Sequence, residues 1–483
     1  VSNNIPSGNI FAPDFLTPLS NITRLPNELI CFNAIALNNA QVTVNIANQS
    51  LSLSPNNYMA NLPENSAVLT GNNQTVTNSN NTNYSGCTSF SNLVNLGKAI
   101  YTITLNGQTI KQESKGTIEI TNPNKLTVVE VISNTGVART GPSTNYSRLT
   151  PLPQGTIATV TGREGDWLRL DYGGWIKADE TKVISLNNPP QSIIRGVTSR
   201  KGNNQTEIIF PLQIPVPVTV KEGDKTFTLR LYNTTAQTDT IKLDDDPIIK
   251  RLDWEQKGDN LIEYNFYLKS EQLWGYTLRY EGTSLILSLR HPPKLSNNFQ
   301  DVSILIDPGH GGNESGSVGP TGYPEKDVNL TVSLLLKKEL ESKGIKVYLT
   351  RETDKDVSLG ERVEMINKWK PTLALSLHYN ALPDNGDAIN TKGIGMFWFH
   401  PQAHNLAIFL HNYLVEKLNR PSYGVFWNNL ALTRPHTSPS VLMELGFMIN
   451  PDEFEWIINK NEQEKLANAI ANGILAWIEI INY

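Results

Sequence analysis

From Asp301 to the C-terminus, short apolar strands alternate with helix-length amphipathic runs, and this rhythm restricts the last part of the chain to a layered α/β fold. Ser303–Ile306, Ile345–Thr350, Leu373–Leu377, Ile394–Phe399 and Val441–Met443 read as strands. Asp327–Ser342, Ser358–Trp369, Gln402–Leu418 and Glu462–Ile480 read as helices. Ser358 followed by Glu361 makes a capping box, and Gly344 is a stop. The expected product is a mostly parallel sheet with helices on both faces, whose functional groups gather beyond the carboxyl ends of the strands.

The preceding three hundred residues carry a different pattern: threonine-spaced strands, Asn-rich loops and few helical periods. A length prior of about 150 residues per domain makes 483 residues too many for one core. Residues 1–125 read as a β-rich domain of no assigned function. Gln41–Ile46 and Ile100–Leu105 alternate, Asn106-Gly107 marks a hairpin, and Gly71–Gly86 is expected to be a loop. Residues 126–186 form a compact β module in which "VARTGPS", "GTIATVTG" and "GDWLRLDYGGWIKAD" follow one another. This order resembles bacterial SH3 (SH3b) barrels, which implies a wall-binding surface that includes Tyr172 and Trp175; packing inside a small barrel explains the same rings. Residues 191–298 are again strand-rich, with Pro211, Pro215 and Pro217 demoting one strand to an edge. They resemble the AMIN-type β domains that precede some amidases. Trp254, Trp274 and Tyr276 there suit either sugar stacking or a core.

Charged residues are 18% of the chain and the net charge is −5, with no basic stripe, so a nucleic-acid partner is not expected. No apolar run approaches the length of a membrane span. Cys31 and Cys87 are either a disulfide of an oxidising compartment or two buried thiols. The chain begins Val1-Ser2-Asn3-Asn4, without a charged or apolar leader, as a mature or truncated chain would.

The chemistry-bearing residues lie after Asp301. His310 follows an apolar strand and a Pro-Gly turn, Glu325 precedes a helical run, and His378 and Glu444 close two further apolar strands. Two imidazoles and one carboxylate are a hydrolytic zinc set, and the second carboxylate is then free to handle a proton. A single strand-end histidine among seven would be unremarkable; four such groups in one domain are the signal. Asn329 and Asn380 stand where they can support the ligands through hydrogen bonds. Arg434 and His436 suit substrate carboxylates or an ordinary polar loop. His400, His404 and His411 form a rival set, but no HExxH pattern accompanies them, and solvated helix positions explain them better.

In sequence, "ILIDPGHGG", "GYPEKDVNL", "YLTRETD", "SLGERV", "LALSLHYNA" and "SPSVLMELGFMIN" resemble the zinc-dependent N-acetylmuramoyl-L-alanine amidases of the amidase-3 type, from Ser303 to the C-terminus. The resemblance implies a Zn2+ ion held by His310, Glu325 and His378, with Glu444 catalytic; Arg434 and Asn380 are, from their own positions in the chain, the candidates to meet substrate. It implies hydrolysis of the bond between N-acetylmuramic acid and L-alanine in peptidoglycan, in the periplasm or outside the cell. Pro324 and Tyr379 depart from the pattern without removing a required group. Only Ala381–Lys392 separates the second histidine motif from the next strand. The long inhibitory insertion of division-associated members has no room there, so a monomer needing no activator is expected. A zinc peptidase cutting within stem peptides and a wall-binding protein with a dead catalytic fold are the rival readings.

Overall fold

The computed structural model describes residues 5–56, 81–186, 188–294, 299–382 and 386–481. In the first domain, Leu29–Leu37, Gln41–Ile46, Gln49–Asn56, Asn81–Ser89, Asn95–Leu105 and Gln108–Ile120 are strands. Alternation sends Phe32, Ala34, Val42, Val44, Tyr101 and Ile103 into one core while the intervening polar residues face out. Asn106 and Gly107 both take positive φ, 51° and 81°, and close the expected hairpin. Cys31 and Cys87 oppose each other on paired strands and are bridged. Of the expected loop at 71–86, Asn81–Gly86 are strand, and the remainder lies outside the described residues.

The expected boundary near residue 125 does not interrupt the sheet. Ile22–Arg24 pairs with Gln108–Ile120 on one side and with Ile157–Glu164 of the second module on the other. Arg24–Glu164 and Arg169–Glu28 ion pairs, each at 2.6 Å, join the same two units. The second module closes around Val129, Val131, Ala138, Leu152, Leu170 and Ile176. Trp175 is only 7% exposed, and the guanidinium groups of Arg24 and Arg169 lie 5.7 and 5.9 Å from its ring. Tyr172 packs against Tyr232 of the next domain at 5.1 Å. Both rings therefore serve packing between units.

Residues 192–290 form two facing sheets, one of five strands and one of four, over a shared core that includes Phe210, Phe227, Leu229, Tyr264, Phe266 and Leu287. Val218–Gly223 is an edge strand, and the three prolines lie in the segment leading to it. Trp274 and Tyr276 are buried, 2% and 3% exposed, where this domain meets the next; Trp254 is 37% exposed.

The last domain contains strands β1 (Ser303–Pro308), β2 (Lys346–Leu349), β3 (Leu373–Asn380), β4 (Ile394–Trp398), β5 (Ser422–Trp427) and β6 (Ser440–Phe447). Its helices are α1 (Glu325–Ser342), α2 (Leu359–Trp369), α3 (His404–Leu418), α4 (Pro451–Ile458) and α5 (Lys460–Ile481). The sheet order is β2-β1-β3-β6-β4-β5. The first four strands are mutually parallel; β4 is antiparallel to β6 and carries β5 parallel to itself, so the sheet is mixed at one edge. Helices α1, α3 and α5 cover one face over Ile304, Ile306, Leu375, Met396, Val441 and Met443. Helix α2 covers part of the other face, over Leu305 and Ala374. Ser358 caps α2 with the expected reciprocal bonds to Glu361. Strand β5 and helix α4 were not anticipated from the sequence.

Candidate active site

Strand β1 ends at Asp307-Pro308 and the chain turns through Gly309-His310, and buried charge fixes this turn. The Asp307 carboxylate accepts from Arg362 Nη1 at 2.6 Å, Ser376 Oγ at 2.6 Å and Thr350 Oγ1 at 2.5 Å. Burial by itself would raise its pKa, but Arg362 and the two hydroxyls hold it below the usual carboxylate range. Arg362 also donates to the Pro308 and His310 carbonyls at 2.8 and 2.7 Å, and Arg351 donates to those of Pro308 and Gly309 at 3.0 and 2.8 Å. So braced, His310 adopts φ +58°, a left-handed conformation that side chains seldom take. Gly309 lets the second imidazole approach, because a Cβ there would lie 2.3 Å from the His378 ring. Gly316 does the same for Glu325, whose Oε2 would lie 2.5 Å from a Cβ.

These constraints bring three ligand groups together. His310 Nε2 is 3.2 Å from His378 Nδ1 and 3.2 Å from Glu325 Oε2, and His378 Nδ1 is 3.1 Å from Glu325 Oε1. Donors about 2.0–2.1 Å from a tetrahedral zinc stand about 3.3 Å apart, so the triangle fits one such ion with a fourth position left over. The donor set, two imidazoles and a carboxylate, is chemically that of zinc as well.

Glu325 opens α1, and its carboxylate is oriented from several sides. Oε2 accepts from Ser317 N at 2.8 Å and Ser317 Oγ at 3.1 Å; Oε1 accepts from Tyr379 N at 2.9 Å and Asn329 Nδ2 at 3.0 Å. Burial works against its ionisation, yet His310 and His378 hold its pKa well below the usual value. Asn329, one turn along α1, also donates to Gly309 O at 3.2 Å and so links ligand to turn. Ser317 was missed, as was Glu314, whose Oε1 lies 3.1 Å from His310 Nδ1 in ion-pair range without hydrogen-bond alignment. Neither position has a helical or strand period to mark it, since both sit in the irregular segment before α1.

Glu444 stands beside His378 in the register of β6 on β3, facing the same side of the sheet. Burial and the nearby charge of Glu325 push its pKa well up, and its Oε2 is buried without a hydrogen-bond partner. Asn380 lies two residues beyond His378, buried, with Nδ2 unpartnered and Oδ1 accepting from Ala381 N. The structure thus assembles His310, Glu325, His378 and Glu444, with Asn329 behind them and Asn380 beside them.

Arg434 is not in this group. It sits with His436 and His400 at the opposite end of the sheet, where β6 begins. Its pKa is lowered to about 10 by burial and by the neighbouring Arg148 and Arg139 of the second module. The rival histidines do not converge either, and they are not uniformly solvated. His411 is buried with Nε2 2.9 Å from Ser422 Oγ, and His400 reaches Glu222 Oε1 at 2.8 Å across a domain boundary. His404 is exposed and its ring lies tilted against Trp398, centroids 4.3 Å apart.

Known proteins resemble two parts of this chain. Residues 304–476 match the family model described as N-acetylmuramoyl-L-alanine amidase, and residues 135–182 match that of the bacterial SH3 domain. The "Probable cell wall amidase LytH" of Staphylococcus epidermidis is 32% identical over 181 residues, 37% of this chain and 59% of that protein. Its Staphylococcus aureus counterpart is 32% identical over 183 residues, 38% of this chain and 60% of that protein. The match thus spans about three fifths of the length of these relatives. Among solved structures, the N-acetylmuramoyl-L-alanine amidase AmiC2 of Nostoc punctiforme is 30% identical with a TM-score of 0.35, covering 37% of this chain and 97% of that one. Residues 304–476 of this chain are accordingly a domain of the N-acetylmuramoyl-L-alanine amidase family, and residues 135–182 are a bacterial SH3 domain.

Proposed function

We propose that this chain hydrolyses the amide bond between N-acetylmuramic acid and L-alanine in peptidoglycan, with zinc held by His310, Glu325 and His378. The observation that carries the reading is the convergence of His310 Nε2, His378 Nδ1 and the Glu325 carboxylate, in contacts of 3.1–3.2 Å, beside a buried glutamate that has an unpartnered oxygen. When bound, zinc would supply acidification of a water and polarisation of the scissile carbonyl. Glu444, with its raised proton affinity, takes the proton of the attacking water and passes it to the departing amine nitrogen. Water oxygen bonds to the lactyl carbonyl carbon and the C–N bond breaks. The products are a lactyl carboxylate on the glycan and a free L-alanine amino terminus on the stem.

Asn329 and Ser317 keep the Glu325 carboxylate turned toward the imidazoles, and the Asp307–Arg362 pair holds His310 in place. The AMIN-like reading of residues 191–298 belongs to the same proposal, in which the β modules position the enzyme on the wall, in the cell envelope. Action without an activator, as a monomer, belongs to the same proposal; the short Ala381–Lys392 connection, which has no room for an inhibitory insertion, supports the first part. Digestion of purified sacculi with mass analysis of the soluble products tests the reading. Intact stems with free L-alanine amino termini are expected, lost on chelation and in Glu444→Ala; stems shortened from within would overturn it.

A further inference from the structure

The catalytic face of the sheet continues past Glu444 to the edge strand β5, and one aromatic side chain lies over the ground between. Glu444 pairs in register with Gly395 of β4, and Gly395 pairs with Gly424 of β5. A Cβ on Gly395 would lie 3.6 Å from that of Glu444, on the same face, and 3.2 Å from Cδ1 of Tyr423. The Tyr423 ring therefore rests over Gly395 and beside Glu444, whose charge, after burial, raises the phenol's pKa. Its position is fixed by Phe426 at 5.3 Å and Phe447 at 4.9 Å, and Phe426 in turn stacks on buried Phe397 at 5.1 Å. The register shift between β4 and β5 at this point is the irregularity that swings Tyr423 onto the face.

Gly395 has no positive φ, so its backbone does not demand glycine. Glycine inside a strand weakens it, and such positions mark close approach by another group. Here the approaching group is the Tyr423 ring. The opposite face of β4 and β5 is ordinary core, with Met396 and Val425 packed under α3, so the glycine serves the catalytic side alone.

Which part of the substrate meets this ring follows from the direction of proton transfer. Glu444 delivers its proton to the leaving amine, so the amine and the peptide attached to it lie on the Glu444 side of the ligand triangle. Beyond Glu444 on that side stand Gly395 and Tyr423. We propose that the Tyr423 ring, backed by Phe426 and seated over Gly395, is the wall against which the stem peptide beyond L-alanine packs, and so sets the preference for stem length and composition. This rests on the amidase reading above.

Two soluble substrates test it: a muramoyl peptide with a full stem and one with L-alanine alone. The readout is the ratio of their kcat/KM values. The wild type should prefer the full stem. Tyr423→Ala should lower that ratio by about tenfold, the scale of a lost contact in an apolar subsite, and Tyr423→Phe should restore it. Gly395→Val, whose branches push into the ring from below, should reproduce the loss. Phe426→Ala, at a half-exposed edge position, should move the ratio the same way and decides the matter if the valine variant does not fold. A ratio unchanged in Tyr423→Ala and Phe426→Ala overturns the proposal, as does an equal fall for both substrates. Wild-type protein that frees no L-alanine amino terminus from either substrate sinks the amidase reading instead.

Discussion

Replacing Arg362 by methionine removes the cation that organises the His310 turn while keeping most of the buried side-chain volume. Arg362 and Asp307 are 2% and 1% exposed, and their ion pair is 2.6 Å long. Removing one partner of a buried pair typically destabilises by about 3–5 kcal/mol, because the other charge is left without compensation. Of the carbonyls that Arg362 serves, Pro308 O keeps Arg351 Nε at 3.0 Å, whereas His310 O loses its 2.7 Å donor. The larger share of the loss thus comes from Asp307, and the smaller acts directly on the ligand backbone. A left-handed His310 is disfavoured by about 1–2 kcal/mol without such bracing, so zinc affinity should fall by about tenfold to a hundredfold. The assay is urea unfolding of the whole chain, followed by retention of zinc, across pH. In the wild type the depressed Asp307 pKa contributes stability above the ordinary carboxylate pKa of about 4, and this is lost as pH falls through the lower folded value. In Arg362→Met, burial is opposed only by the Ser376 and Thr350 hydroxyls and the His378 charge, so the Asp307 pKa rises, and the stability deficit should shrink as pH falls from the variant's higher folded value to the wild type's lower one. Asp307→Asn combined with Arg362→Met should show a coupling of about 1–3 kcal/mol. A deficit under about 1 kcal/mol at neutral pH, with zinc affinity intact, would refute the reasoning.

Glu444→Gln should keep stoichiometric zinc by elemental analysis while turnover falls by about a hundredfold to ten-thousandfold; parallel loss of metal would make Glu444 a ligand. Ser317→Ala removes the single hydroxyl proton placed between Glu325 Oε2 and Tyr379 O, and competition with a chromogenic chelator should show zinc affinity weakened by about tenfold. Asn329→Ala, which loses its bonds to Glu325 Oε1 and Gly309 O, should weaken it at least as much. Cys31→Ser with Cys87→Ser should destabilise the first domain by about 2–4 kcal/mol in calorimetry, and zinc titration should find the ligand triangle unaffected.

What could be read from the sequence follows from how local its cause is. The strands carrying His310, His378 and Glu444 are continuous apolar runs, and α2 announces itself through Ser358 and Glu361, so the elements and the site on them were legible. Strand β5 was not, because Ser422-Tyr423-Gly424-Val425-Phe426-Trp427 lies at an edge and exposes residues on both sides, which erases the alternation. The orientation of β4 was hidden too, since a strand's direction depends on which partner it meets rather than on its own residues. Arg434 shows the same limit at a single residue. It stands ten positions before Glu444 in sequence, but the segment between runs along the foot of β6, so closeness in chain order became separation along the strand.

That separation also explains how the second β domain can attach at the strand starts, away from the ligand groups. A parallel sheet offers its catalytic loops at one end, which leaves the strand starts free for other uses. Here the second β domain occupies them. Trp274 packs edge-on against Trp477 of α5 at 5.6 Å, Tyr276 N donates to His436 O, and a Cβ on Gly275 would strike Thr437 O at 2.2 Å. Arg290 donates to Pro371 O at 2.6 Å, Thr437 O at 3.2 Å and Ser438 Oγ at 3.2 Å. Pro371 and Ser438 immediately precede β3 and β6, the strands that end in His378 and Glu444. One half-buried guanidinium thus pins the segments leading into both strands together, roughly 20–23 Å along the chain from the groups at their far ends at about 3.3 Å per residue. The domain that holds this arginine braces the strands bearing the second imidazole and the proton carrier from the end opposite to the ligand groups.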